Sequence, residues 1–123
     1  MFRKLSLLVS LFVMTACSTP DVQSTPEGVV NKVFEVSTSK KYDDLKDLCA
    51  PEADQGIQKI CDLKDAASEE QERFSEVVSK GRVGQSQING DKATIRLMDE
   101  KGKADGTVFL AKKKGRWYMV SSE

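Results

Sequence analysis

Three cysteines and no histidine bound the chemistry open to this chain of 123 residues. Cys17 closes the run Met14-Thr15-Ala16-Cys17, while Cys49 and Cys61 stand together in the middle of the sequence. A thiol can carry an acyl group, pair with a second thiol or hold a soft metal. Neither a metal pair nor a redox motif is expected, because there is no imidazole, no Cys-x-x-Cys spacing and no further thiol to complete a zinc site. Acid–base chemistry would fall to Tyr42, Tyr118 and the aspartates, since a phenol and a carboxylate can divide that work. No spacing singles any of them out. Tyr42 reads as packing at a helix start, Tyr118 as packing on a sheet face, and the aspartates as solvated charge in turns and first helical turns. Serine-hydrolase, P-loop and dinucleotide signatures are absent. The expectation is a noncatalytic protein with no catalytic residue, no cofactor and no metal.

The segment that positions Cys17 has a basic start, Arg3 and Lys4, and an apolar run from Leu5 to Met14. That run is about half of the roughly 20 residues a helix needs to span a bilayer. Ordinary secretory cleavage after Ala16 favours small side chains at the first and third positions before the cut, and Met14 is large. Met14-Thr15-Ala16-Cys17 instead resembles the lipobox of bacterial lipoproteins, with Met standing where Leu is commoner. The resemblance implies that residues 1–16 are a signal peptide removed before Cys17, whose thiol carries a diacylglycerol and whose new amino terminus takes a further acyl chain of the palmitate kind. Two or three chains on one residue make the attachment effectively stable, at about 0.8 kcal/mol per buried CH₂. The implied location is the bacterial cell envelope, anchored by lipid; for a Gram-negative cell, Ser18 rather than Asp after the cysteine resembles the enterobacterial pattern for sorting to the outer membrane, facing the periplasm.

In an exported chain Cys49 and Cys61 read as a disulfide. It would close a 13-residue segment, and a loop of that size stabilises by about 3 kcal/mol in the chain-entropy treatment. Two buried free thiols are the alternative.

Removal of the signal leaves 107 residues, enough for one domain and too few for two. The mature chain carries 17 basic and 19 acidic side chains, which gives no reason to expect nucleic acid as a partner. Lys112, Lys113, Lys114 and Arg116 form the one dense basic cluster; a solvated hairpin tip accounts for it, with phosphate or headgroup binding as the other reading. Residues 17–26 contain two of the three prolines and no apolar periodicity, so they read as a lipidated cysteine and flexible tether reaching at most about 35 Å. Residues 27–123 form the expected single domain.

Thr25, Pro26 and Glu27 suit a helix start, and Val29, Val30, Val33 and Phe34 make its apolar face. Short helices are expected over Tyr42–Cys49 and Glu52–Leu63, then one opened by a Ser68/Gln71 capping box, carrying Phe74, Val77 and Val78 and ending at Gly81. The remainder alternates as strands. Val83–Ile88, with Gly84 inside it, reads as an edge strand or a bulged one. Asn89-Gly90-Asp91 turns into Ala93, Ile95 and Leu97, while Thr107–Ala111 and Trp117–Val120 are apolar on both sides and expected to be central or covered. The fold class is α+β: N-terminal helices packed on one face of a curved, roughly four-stranded antiparallel sheet.

Thr25-Pro26-Glu27-Gly28-Val29-Val30, Lys40-Lys41-Tyr42-Asp43-Asp44-Leu45, Asn89-Gly90-Asp91-Lys92-Ala93-Thr94-Ile95 and Gly115-Arg116-Trp117-Tyr118-Met119-Val120 together resemble a family of small bacterial lipoproteins of unknown function. That family lies in the nuclear-transport-factor-2-like, or cystatin-like, superfamily. The resemblance implies a cystatin-like cone whose open end takes a ligand or a partner. On this basis the domain is expected to bind a small apolar ligand or an envelope protein, with a homodimer possible; a structural, protective or inhibitory subunit is the alternative, and an enzyme with a carboxylate/Tyr site in the cone is the third reading. The expected working surface is a helix bearing Val30 and Phe34 facing Ile95, Leu97, Phe109 and Trp117 on the sheet. No other ligand-binding residue is assigned.

Overall fold

The computed structural model describes residues 21–123. The expected signal peptide, residues 1–16, and Cys17 lie outside the described residues. α1 spans Pro26–Ser39, and its start is as the sequence implies: the Thr25 hydroxyl accepts from the Gly28 amide at 3.0 Å, and Pro26 occupies the first turn. Val29, Val30, Val33 and Val36 are buried on one face of it.

The middle of the chain is less helical than its apolar spacing suggests. Tyr42–Leu45 is a single 3₁₀ turn. Leu48, Cys49 and Ala50 then run extended beside the sheet, with Met119 donating to the Leu48 carbonyl at 2.8 Å and Ala50 donating to the Met119 carbonyl at 2.9 Å. Backbone pairing to a strand edge has overridden the helical spacing of Leu45, Leu48 and Cys49. α2 is Gln55–Cys61, opened by the Asp54 carboxylate accepting from the Ile57 amide at 2.9 Å. α3 is Ser68–Val78. Ala67, not Ser68, is its N-cap, and the Gln71 side-chain amide reaches the Leu63 carbonyl at 2.7 Å instead of completing a capping box.

β1 (Arg82–Asn89), β2 (Lys92–Met98), β3 (Ala104–Lys113) and β4 (Arg116–Ser122) form an open antiparallel sheet in sequential order. β1 is both an edge strand and bulged, between Val83 and Ser86, and β2 and β3 carry irregularities at Leu97/Met98 and Phe109/Leu110. β4 is an edge by order, yet the Leu48–Ala50 segment covers it. The two hairpin turns follow from backbone geometry: Gly90 has φ 62°, and Lys114 and Gly115 have φ 53° and 82° in succession, the mirror-image conformation that matches strand twist.

The core lies between α1 and one sheet face, where Val29, Val36, Leu45, Ile57, Ile95 and Met119 are essentially inaccessible. The fold is therefore α+β, three helices with an open four-stranded antiparallel sheet. One boundary moves. Residues 21–26, expected in the tether, are folded: Val22–Ser24 form a 3₁₀ turn, Gln23 and Pro26 are buried, and the Gln23 amide donates to the carbonyls of Asp47 (3.1 Å) and Trp117 (3.0 Å). A glutamine in a Ser/Thr/Pro-rich run gives no periodic hint of burial, so composition alone places the boundary too late.

Candidate functional site

α1 packs against the sheet, whereas α3 packs mainly against α1 and the Leu63–Asp65 turn. That arrangement leaves an apolar recess where α3 stands off from β2 and β3. Val30, Val33, Phe34, Phe74, Val77 and Leu97 line it, and Asp105 and Ser122 bring polar atoms to its boundary. Its volume is about 240 Å³. Val77 is 63% exposed at its mouth, an apolar side chain with nothing yet packed over it. α2 contributes Ile57 and Ile60 to the wall.

Of the expected working surface, Val30, Phe34 and Leu97 do meet at this recess. Ile95 and Trp117 are core, at 0% and 4% exposure. Phe109 lies between buried Val108 and Leu110 and opposite Thr94, which by strand alternation puts it on the other face of the sheet. The sequence reading missed Phe74, Val77 and Val78 as cavity residues. Their helical spacing was evident; what periodicity cannot show is that α3 turns this stripe toward a gap and not into a filled core.

A larger groove, about 630 Å³, runs between the end of α1 and α3, lined by Ser37, Lys40, Glu69, Glu72, Arg73 and Glu76. It is shallow and polar, without the apolar enclosure by which a small ligand is held. Near it the Tyr42 hydroxyl bonds Ser75 Oγ at 2.6 Å and the Gln71 carbonyl at 3.2 Å. This phenol is engaged in a structural contact between the 3₁₀ turn and α3.

Cys49 and Cys61 lie at disulfide-bonding distance, with Cα atoms 6.2 Å apart. Cys61 ends α2 and Cys49 pairs with Met119 of β4, so the link ties the cavity-wall helix to the sheet. Among the described residues no group of three or more His, Cys, Asp or Glu side chains is arranged to hold a metal, and no helix is long and apolar enough to cross a membrane.

The basic cluster sits at the β3–β4 turn. Arg116 donates to both Asp21 oxygens, at 3.0 and 3.2 Å, and Lys113 pairs with Glu52 at 2.5 Å. The backbone N–H of Gln23 and the Arg116 guanidinium hold the Asp21 carboxyl below the usual carboxylate range, and Lys113 does the same for Glu52. Lys112 lies over the Trp117 ring, 5.9 Å from its centroid. Neither Lys112 nor Lys114 is in an ion pair among the described residues.

No family model matches the chain, and no curated protein matches it. Among solved structures it is similar to the solution structure of a SEC-C motif containing protein from Rhodopseudomonas palustris. Identity is 17% and the TM-score 0.57, over 88% of this chain and 84% of that one. At this identity the likeness concerns the fold alone. It overturns the expected membership of a lipoprotein family in the nuclear-transport-factor-2-like, cystatin-like superfamily, because the likeness found is to a different fold family. The reason is visible in the residues. The four matching stretches are a helix cap, a 3₁₀ turn, a tight turn and a core tryptophan, local solutions that unrelated α+β folds share.

Proposed function

We propose that the protein is a bacterial envelope lipoprotein, anchored through acylated Cys17 at the outer membrane and facing the periplasm. Its domain binds, without catalysing, one small apolar or amphipathic ligand between α1, α3 and the sheet. The anchor rests on the Met14–Cys17 pattern. The observation that carries the binding reading is the 240 Å³ recess with half-buried Phe34 and Phe74 and exposed Val77 around it. That volume equals about eight waters at roughly 30 Å³ each, and it falls below the roughly 300 Å³ at which drug-sized sites begin. The fitting ligand is a short alkyl chain or the end of a longer one. Asp105 is the one carboxylate among the lining residues, so a general acid and base are not paired there, which favours binding over turnover.

A protein-binding role would need an apolar patch on the uncovered sheet face. The exposed large apolar side chains among the described residues are Val22, Val77 and Ile88; Phe109 and Tyr118 are half-buried. The ligand reading is the stronger one. Decanoate and a short-chain lysophospholipid test it by thermal shift. A ligand at about 100 times Kd adds about 2.7 kcal/mol, so the melting temperature should rise with concentration and saturate. No shift with either probe, or turnover of one that a single Asp105→Asn substitution abolishes with melting unchanged, would overturn the reading.

A further inference from the structure

The folded turn at Val22–Ser24 shortens the leash. Cys17 precedes Asp21 by four residues, a span of at most about 14 Å. Asp21 is fixed to Arg116 at the β3–β4 turn, and in a sequential antiparallel meander the β1–β2 turn lies at that same end of the sheet. Whatever surface holds Cys17 is therefore held close to both turns.

That end is basic and carries apolar side chains. Lys92, Lys112, Lys113, Lys114 and Arg116 stand there against Asp21, Asp47, Glu52 and Asp91, and Lys113 and Arg116 are already matched by Glu52 and Asp21. Lys112 and Lys114 are exposed and in no ion pair. Two of the three exposed large apolar side chains among the described residues, Val22 at 36% and Ile88 at 52%, flank the same end. The opposite end, at the β2–β3 loop, carries Asp99, Glu100, Asp105 and Glu123 against Lys80, Arg82, Lys101 and Lys103, with no excess of either sign. β3 alone, at ten residues, separates the two ends by about 33 Å.

We propose that the domain rests end-on upon an anionic phospholipid surface, the one that holds the Cys17 acyl chains. Lys112 and Lys114 meet the headgroups, and Ile88 and Val22 enter the interface. The attraction of an anionic leaflet fades within about a Debye length, about 8 Å at physiological ionic strength. A leash of about 14 Å keeps the basic end near that range, while the β2–β3 loop is held outside it. This orientation rests on the lipoprotein reading, and it holds the recess, bounded by Gly81, Met98 and Asp105, toward the end of the sheet away from the membrane.

The test uses the acylated protein reconstituted in vesicles of phosphatidylcholine alone or of phosphatidylcholine with phosphatidylglycerol. Each lysine's rate of reaction with a membrane-impermeant amine reagent is read by mass spectrometry. Each cation near an anionic surface favours docking about five-fold, so Lys112 and Lys114 should react about five-fold or more slowly on the phosphatidylglycerol vesicles. Lys101 and Lys103 should be unchanged, and 1 M salt, where the Debye length is about 3 Å, should abolish the difference. In the Lys112→Gln, Lys114→Asn variant, Lys92 and Lys113 should return to their rates on phosphatidylcholine. Incorporation of labelled fatty acid is measured on the same preparation. Fatty acid incorporated with equal lysine rates on both vesicles overturns the docking and leaves the anchor standing. No fatty acid incorporated overturns the anchor, and the docking with it.

Discussion

Gln23 shows how one polar side chain can set a domain boundary. It is 3% exposed, with its amide shared between the Asp47 and Trp117 carbonyls, so Gln23→Ala removes two donors and leaves buried acceptors unpaired. The expected loss is about 1 to 3 kcal/mol in urea denaturation. Gly28→Ala should release the same turn by a different route, since a Cβ there would collide with the Val22 carbonyl oxygen. Asp21 adds a pH dependence. Its carboxyl is held below its ordinary range by the backbone N–H of Gln23 and by Arg116, so the folded state binds its proton less readily than the unfolded chain does. The contribution is fully present above the ordinary aspartate pKa of about 3.9 and is lost as pH falls through the lower folded value. Protection of the Val22–Ser24 amides, taken relative to their intrinsic exchange rate at each pH, should therefore fall below about pH 4, while Asp21→Asn removes that step. None of these partners was legible in the sequence, because a hydrogen bond joining residues 23 and 117 leaves no local pattern.

Elements were readable at most places where chemistry is local, the Ser68/Gln71 capping box excepted, since Gln71 turns to the Leu63 carbonyl. The Thr25 cap, the Gly90 and Gly115 turns and the bulged edge strand each depend on a few adjacent residues, and each stands where the sequence places it. The helix expected over Tyr42–Cys49 failed because its outcome depends on β4, seventy residues away, whose free edge recruits Leu48 and Ala50. Lys114 is the least suited residue of the β3–β4 turn, with φ 53° on a side chain that gains nothing from that conformation. Lys114→Asn should raise stability by about 0.5 to 1 kcal/mol, read as a higher urea midpoint. The Cys49–Cys61 link belongs at this scale too. Intact mass should show the soluble domain two hydrogens lighter than its reduced form, and reduction should cost about 2 to 5 kcal/mol. Faster exchange should concentrate in residues 49–61, with the β2–β3 hairpin little affected; thiols that alkylate without reduction would exclude the bridge.

At the scale of the whole molecule, the fold class was legible because runs of helix followed by runs of strand leave few ways to bury both. The recess was not, since a gap depends on how far α3 stands from the sheet and not on which residues α3 carries. A gap can be a site or a packing defect, and the two respond differently to being filled. Val78 lines the recess and is half-buried, so Val78→Phe extends an apolar ring into space already enclosed by apolar walls. Cavity filling of this kind stabilises an unliganded domain by about 0.5 to 2 kcal/mol, and the melting temperature without ligand should rise. If the recess is the binding site, the same substitution should abolish the decanoate-dependent rise, because ring and alkyl chain compete for one volume of about 240 Å³. Natural proteins give up stability where a ligand completes the packing, so the gain without ligand and the loss of response should appear in one variant. A Val78→Phe protein that melts higher and still shows the full decanoate shift would place the ligand elsewhere.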